Sequence, residues 1–156
     1  MARLGMVIDL QRCVGCGACA FACKAENNTR SRADGQSFNW ADFVMKTEGT
    51  FPNTTHWVMP VLCNHCTDAP CVKVCPVTPK AMFKTPDGIT MHNDDYCIGC
   101  RACQYACPYG VPRFEWDNPL GVMRKCAGCS GLISRGQAPA CAAGCPTGAI
   151  KAGARG

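Results

Sequence analysis

The chain has 156 residues, room for one ordinary domain or two very small ones, and sixteen of them are cysteine. Cysteine at this density marks a disulfide scaffold or a metal protein rather than an ordinary globular enzyme. The formal charge is +5, and no stretch reaches the roughly 20 apolar residues that a membrane-spanning helix needs.

The N-terminus, Met1-Ala2-Arg3-Leu4-Gly5, runs straight into a strand-like segment, with no apolar core of signal-peptide length. A disulfide scaffold, which staples distant loops in an exported chain, is therefore disfavoured. The first quartet follows: Cys13, Cys16, Cys19 and Cys23 in the spacing CxxCxxCxxxC. Zinc prefers two CxxC pairs split by a spacer, whereas this compact run wraps an iron–sulfur cubane, with three thiolates on one cluster and the fourth on another. A short helix is expected from about Ala18 to Lys24.

Lys24 to Leu62 reads as a polar insert carrying Phe38, Trp40, Phe43, Phe51 and Trp57, aromatics whose expected role is packing. The second quartet is Cys63, Cys66, Cys71 and Cys75. After it, Ala81 to Met91 carries two β-like runs around Pro86-Asp87-Gly88, the pattern of a hairpin. The third quartet, Cys97, Cys100, Cys103 and Cys107, repeats the spacing of the first, and a helix is expected from Ala102 to Cys107. The fourth, Cys126, Cys129, Cys141 and Cys145, repeats the second with eleven residues instead of four between its middle cysteines. Proline follows Cys75, Cys107 and Cys145 and fixes the chain's exit, while Lys24 follows Cys23, where the helix is free to continue.

Self-comparison therefore gives the order A, B, A′, B′, a duplicated two-unit module. The block Cys63 to Cys107, a B unit, a hairpin and an A unit, resembles one bacterial two-cluster ferredoxin. Units A and B′ must then meet in space, with Gly5-Met6-Val7-Ile8 and Ala149-Ile150-Lys151 pairing as strands. The expected fold is α+β with little regular secondary structure: two ferredoxin-like 2[4Fe-4S] modules, one inserted in the other. Residues 1–62 and 108–156 form the terminal module, with the aromatic-containing insert at 24–62, and 63–107 form the inserted one.

If the fourth cysteine of each run serves the other cluster of its module, four [4Fe-4S] ligand sets result. They are Cys13, Cys16, Cys19 and Cys145; Cys126, Cys129, Cys141 and Cys23; Cys63, Cys66, Cys71 and Cys107; and Cys97, Cys100, Cys103 and Cys75. The alternative is that each quartet binds its own cubane. Each oxidised cubane with four thiolates carries about −2, so four of them turn the formal +5 into about −3 and remove the case for nucleic acid. Arg101 and Lys125, beside ligands, are candidate tuning charges. His56, His65 and His92 are expected in structural or surface roles, since thiolates already account for every ligand position. No Gly-rich phosphate loop, nucleophile elbow or HExxH motif is present, so no catalytic residue is assigned.

With these four quartets, and motifs such as Cys13-Val14-Gly15-Cys16-Gly17-Ala18-Cys19 and Cys97-Ile98-Gly99-Cys100-Arg101-Ala102-Cys103, nearly the whole chain resembles the electron-transfer beta subunit of the complex iron–sulfur molybdoenzymes. The dimethyl sulfoxide, polysulfide, thiosulfate and tetrathionate reductases and the formate dehydrogenases belong to that family. The resemblance implies a non-catalytic subunit of anaerobic respiration lying between a molybdopterin catalytic subunit and an integral membrane, quinone-reactive subunit. It implies that the terminal module faces the catalytic subunit and that the set containing Cys97 lies nearest the quinone. Cys100 stands where some relatives lack a cysteine and hold a three-iron cluster, so a cubane is expected. Attachment to the membrane would be through a partner, on the periplasmic side by co-export or on the cytoplasmic side. Two competing readings are a polyferredoxin shuttling electrons between soluble enzymes such as a hydrogenase and its acceptors, and an accessory protein using an open iron position for Lewis-acid or radical chemistry.

Overall fold

A computed structural model describes residues 4–29, 39–115 and 121–154. The elements are short: β1 (Leu4–Ile8), α1 (Ala18–Glu26), β2 (Asp42–Thr50), β3 (Asn53–Val61), α2 (Pro70–Lys73), β4 (Met82–Lys84), β5 (Thr90–His92), α3 (Ala102–Ala106), α4 (Ser130–Ile133), α5 (Ala140–Ala143) and β6 (Ile150–Ala154). Among the described residues they make three two-stranded antiparallel sheets, β1–β6, β2–β3 and β4–β5, and none of the helices is long and apolar enough to cross a membrane. The regular structure is as sparse as the sequence suggests.

The two ends of the chain meet in the first sheet. Strand β1 pairs with β6 in the register Leu4↔Ala154 to Ile8↔Ile150, and the Asp9 amide continues the ladder by donating to the Ala149 carbonyl at 2.8 Å. Beneath this sheet Cys23, Ala41, Leu62, Cys141 and Ile150 form a buried apolar group, against which Ile8 and Trp40 pack. A second group, Met82, Cys103, Phe114 and Met123, lies under the short β4–β5 hairpin. That hairpin has the expected turn, closed by the Gly88 amide on the Thr85 carbonyl at 2.9 Å and by the Ile89 amide on Thr85 Oγ1 at 3.1 Å.

Helix α1 runs to Glu26, past the Lys24 of the sequence reading, because no proline stops it and Asn27 Nδ2 donates to the Cys23 carbonyl at its end. Helix α3 stops at Ala106, one residue short of expectation, with Cys107 already extended ahead of Pro108.

The insert differs more from its expectation. Its second half is a long hairpin, β2–β3, paired from Asp42↔Val61 to Thr50↔Asn53. Only its base is buried: Val58 and Pro60 are covered, while Phe51 at the tip is 91% exposed and Trp57 is 43% exposed. Trp40 and Phe43 therefore pack as expected, and Phe51 and Trp57 do not. Phe38 lies outside the described residues. Arg113 holds the hairpin base by an ion pair with Asp42 at 3.2 Å.

Candidate iron–sulfur centres

All sixteen cysteines are described, and none is paired in a disulfide. Four cysteines surround one cavity: Cys13 and Cys16 from the loop entering α1, Cys19 from its first turn, and Cys145 from beyond α5, with Phe43, Val58 and Pro60 of the hairpin base as its wall. Cys75, Cys97, Cys100 and Cys103 line another, walled by Met82, Phe114 and Met123. The two enclose similar space free of protein atoms, about 370 and 360 Å³, part of it open to solvent.

The remaining thiols fall into two further neighbourhoods. Cys23, Cys126, Cys129 and Cys141 lie within electrostatic reach of one another: burial and then its neighbours Cys126 and Cys129 push the Cys23 thiol up to about 12, and burial with Cys126, Cys129 and Cys23 does the same to Cys141. Cys71 stands near Cys63 and Cys107, and burial raises its pKa too. Cys66 continues the same loop, its carbonyl accepting from Lys84 Nζ at 2.7 Å.

Thiols of different groups also come close, always in a particular pairing. Cys141 is within reach of Cys19, Cys126 of Cys63, and Cys103 of Cys71. These approaches link the four groups in succession. The first and last groups of the succession contain Cys16 and Cys100, the two exposed cysteines.

The chemistry of this donor set fits an iron–sulfur cubane. Soft thiolates alone select iron–sulfur clusters, zinc or cuprous copper. Among the described residues no three His, Cys, Asp or Glu side chains are close enough to hold a single metal ion. The sulfurs ring a space instead, and a multinuclear cluster spans such a gap with its own iron. Burial and mutual repulsion also hold the thiols of Cys19, Cys23, Cys71, Cys103, Cys126 and Cys141 above the ordinary cysteine range. Closely set thiolates need compensating positive charge to ionise together, which bound iron supplies. Cys145 alone is lowered, by the Ile150 amide first and then by Thr147.

Several donors point at cysteine sulfurs: the Met123 amide at Cys97 Sγ, the Gly128 amide at Cys126 Sγ and Asn27 Nδ2 at Cys23 Sγ, each at 3.4 Å. Hydrogen bonds of this kind tune cluster potential. The two candidate tuning charges take different settings. Arg101 lies over the Phe114 ring, 5.5 Å from its centroid, on the wall of the second cavity. Lys125 is 1% exposed, its ammonium donating to the Thr90 carbonyl and, at 2.9 Å, to that of Cys126.

Of the three histidines, His56 bonds Thr47 across the exposed hairpin at 2.8 Å, and His92 bonds Asp94 Oδ1 at 2.9 Å beside the second cavity. His65 is placed differently. Its Nδ1 accepts the Thr90 amide at 3.0 Å and its Nε2 lies 3.7 Å from Cys126 Sγ. Burial, then Lys125 and Lys84, lower its pKa to about 4. Asn27, Lys84 and Thr90 received no role from the sequence, because their donors reach the site only through the folded loops.

Residues 54–155 match the family of 4Fe-4S dicluster domains, and residues 4–25 match a 4Fe-4S binding domain. The chain is 56% identical over 117 residues to the iron–sulfur subunit ArrB of arsenate respiratory reductase from Shewanella sp. (strain ANA-3), covering 75% of this chain and 47% of that protein. It is 38% identical over 172 residues to a putative iron–sulfur subunit of dimethyl sulfoxide reductase from Halobacterium salinarum, covering 94% of this chain and 64% of that one. It thus spans from about half to under two thirds of those relatives. With a chain of the anaerobic dimethyl sulfoxide reductase of Haemophilus influenzae the identity is 36% over 154 residues, covering 96% of this chain and 73% of that one. By its cysteine pattern, its dicluster domain and this level of identity, the chain is a member of the family of iron–sulfur subunits of the complex iron–sulfur molybdoenzyme reductases.

Proposed function

We propose that this chain holds four [4Fe-4S] clusters and serves as the electron-transfer subunit that connects a molybdopterin-containing catalytic subunit with a quinone-linked membrane subunit. The observation that carries the reading is the succession of four neighbouring thiol groups with an exposed cysteine in the first and in the last. When bound, each cubane supplies reversible one-electron chemistry. The protein's part is to fix the sites in sequence, shield the middle two and leave the outer two near the surface.

The ligand sets are the four interleaved ones given by the sequence. Two of them coincide with the cysteines lining the two cavities, and the β1–β6 pairing that joins the chain ends supports a terminal module, 1–62 with 108–156, closing around an inserted one, 63–107. The set containing Cys13 would face the catalytic subunit and the set containing Cys97 the membrane partner. Attachment to the membrane through that partner agrees with the lack of a spanning helix among the described residues.

Anaerobic iron and sulfide analysis with electron paramagnetic resonance of the reduced protein tests the count, with about sixteen of each expected per chain. Cys145→Ser should then alter the cluster shared with Cys13, Cys16 and Cys19 and spare the one on Cys126, Cys129 and Cys141. An effect on the latter instead would sink the interleaved assignment. Co-elution with a larger, molybdopterin-containing subunit is expected, and a stable monomer eluting alone would favour the polyferredoxin reading.

A further inference from the structure

The residue before the second cysteine has a positive φ in all four groups: Gly15 at 69°, His65 at 42°, Gly99 at 68° and Gly128 at 64°. Glycine takes that conformation freely, and a residue with a Cβ does so only at a steric cost. His65 is the one position of the four where that cost is met, which directs attention to what its ring does there.

The ring is fixed at both nitrogens. A backbone amide can only donate, so the 3.0 Å bond from the Thr90 amide leaves Nδ1 without a proton and puts the ring hydrogen on Nε2. Nε2 lies 3.7 Å from Cys126 Sγ, within reach of an N–H···S bond. Thr90 is itself held from two further sides, its hydroxyl accepting from Lys84 Nζ at 3.4 Å and its carbonyl from Lys125. Gly128, the counterpart of His65 in the duplicated unit, sits against the ring: a Cβ there would come within 3.5 Å of His65 Nε2 and 3.3 Å of Ile89 Cδ1. One copy of the position carries the ring, and the other leaves it room.

We propose that His65 sets the potential of the cluster held by Cys126, donating its Nε2–H to Cys126 Sγ from the neighbouring module. The proposal rests on the four-cluster reading above. A donor at a ligand sulfur stabilises the extra negative charge of the reduced cluster, so the bond raises its potential. His65 also precedes Cys66, a ligand of the adjacent set, so it ties the middle two sites together by covalent bonds on one side and a hydrogen bond on the other.

His65→Gly tests this with little risk to the fold, since glycine is what the other three positions carry. Anaerobic redox titration followed by electron paramagnetic resonance should show one cluster shifting to lower potential, by about tenfold in its reduced-to-oxidised ratio, or about 59 mV for a one-electron couple. The other three should stay in place. In protein labelled with ¹⁵N-histidine, pulsed resonance of the reduced state should show a nitrogen coupling that the variant loses. Should the glycine variant lose iron, His65→Asn repeats the comparison, because asparagine also tolerates the left-handed backbone and is too short to carry the bond. An unshifted potential overturns the proposal, whether or not the coupling disappears. Iron near sixteen atoms per chain in the parent protein separates that failure from failure of the four-cluster reading, which a markedly lower content would bring down together with this proposal.

Discussion

Lys125 sits where an ordinary lysine would be costly. It is 1% exposed, and its ammonium meets two carbonyls, those of Thr90 and Cys126. Desolvating a cation costs several kcal/mol unless opposite charge lies close, and thiolate-ligated clusters on either side would supply it. Lys125→Met should therefore act twice. Removing a positive charge should lower the potential of the cluster on Cys126, read by anaerobic redox titration. Stranding two buried carbonyls should lower stability by about 1–3 kcal/mol, read by urea unfolding. A loss of stability with unmoved potentials would make the lysine a structural strut alone. The sequence singled out Lys125 because it adjoins a ligand, and the folded chain shows where its charge goes. His65 adjoins a ligand too, Cys66, but the sulfur its ring meets is sixty-one residues away, and in the sequence only the glycines at the three matching positions hint that this histidine is out of place.

At the scale of elements, the β2–β3 hairpin shows why part of the fold was not legible. A strand announces itself by alternating burial, and this hairpin has almost none beyond its base, so the period-2 signal is missing. The base matters because Val58 closes against the first quartet: a Cβ on Gly15, whose φ is +69°, would stand 2.6 Å from Val58 Cγ2. Gly15→Ala should therefore cost about 1–3 kcal/mol through backbone strain and overlap together, and should lower iron occupancy at the first site. Val58→Ala alone should cost about 1–2 kcal/mol in lost burial. Combining the two should cost less than their sum, because the overlap is relieved, whereas Phe51→Ser at the exposed tip should stay within about 0.5 kcal/mol. Strict additivity in urea unfolding of the four proteins would mean that Gly15 and Val58 do not meet.

For the whole molecule the question is what takes the place of a core. Among the described residues sixteen apolar side chains are buried, and half of these are alanine or cysteine. The sheets among the described residues are all two-stranded, an arrangement only marginally stable by itself in water. Each buried apolar group contains cysteine, so the sites and the core are the same places. The four quartets were legible because the spacing within each is local. The succession of the groups was not, since it depends on Cys141 approaching Cys19, Cys126 approaching Cys63 and Cys103 approaching Cys71 across long separations. If the clusters replace the core, then stripping iron with an anaerobic chelator should abolish the far-ultraviolet circular dichroism of the native protein and its protection from proteolysis, in step with iron loss. Adding iron and sulfide under reducing conditions should restore both. Zinc alone should restore neither, because single zinc ions lack the bridging sulfide by which a cubane ties four thiolates to one cluster. A stripped polypeptide that kept its native circular dichroism and resisted protease would show that the protein holds itself together, and that the metal is carried rather than built upon.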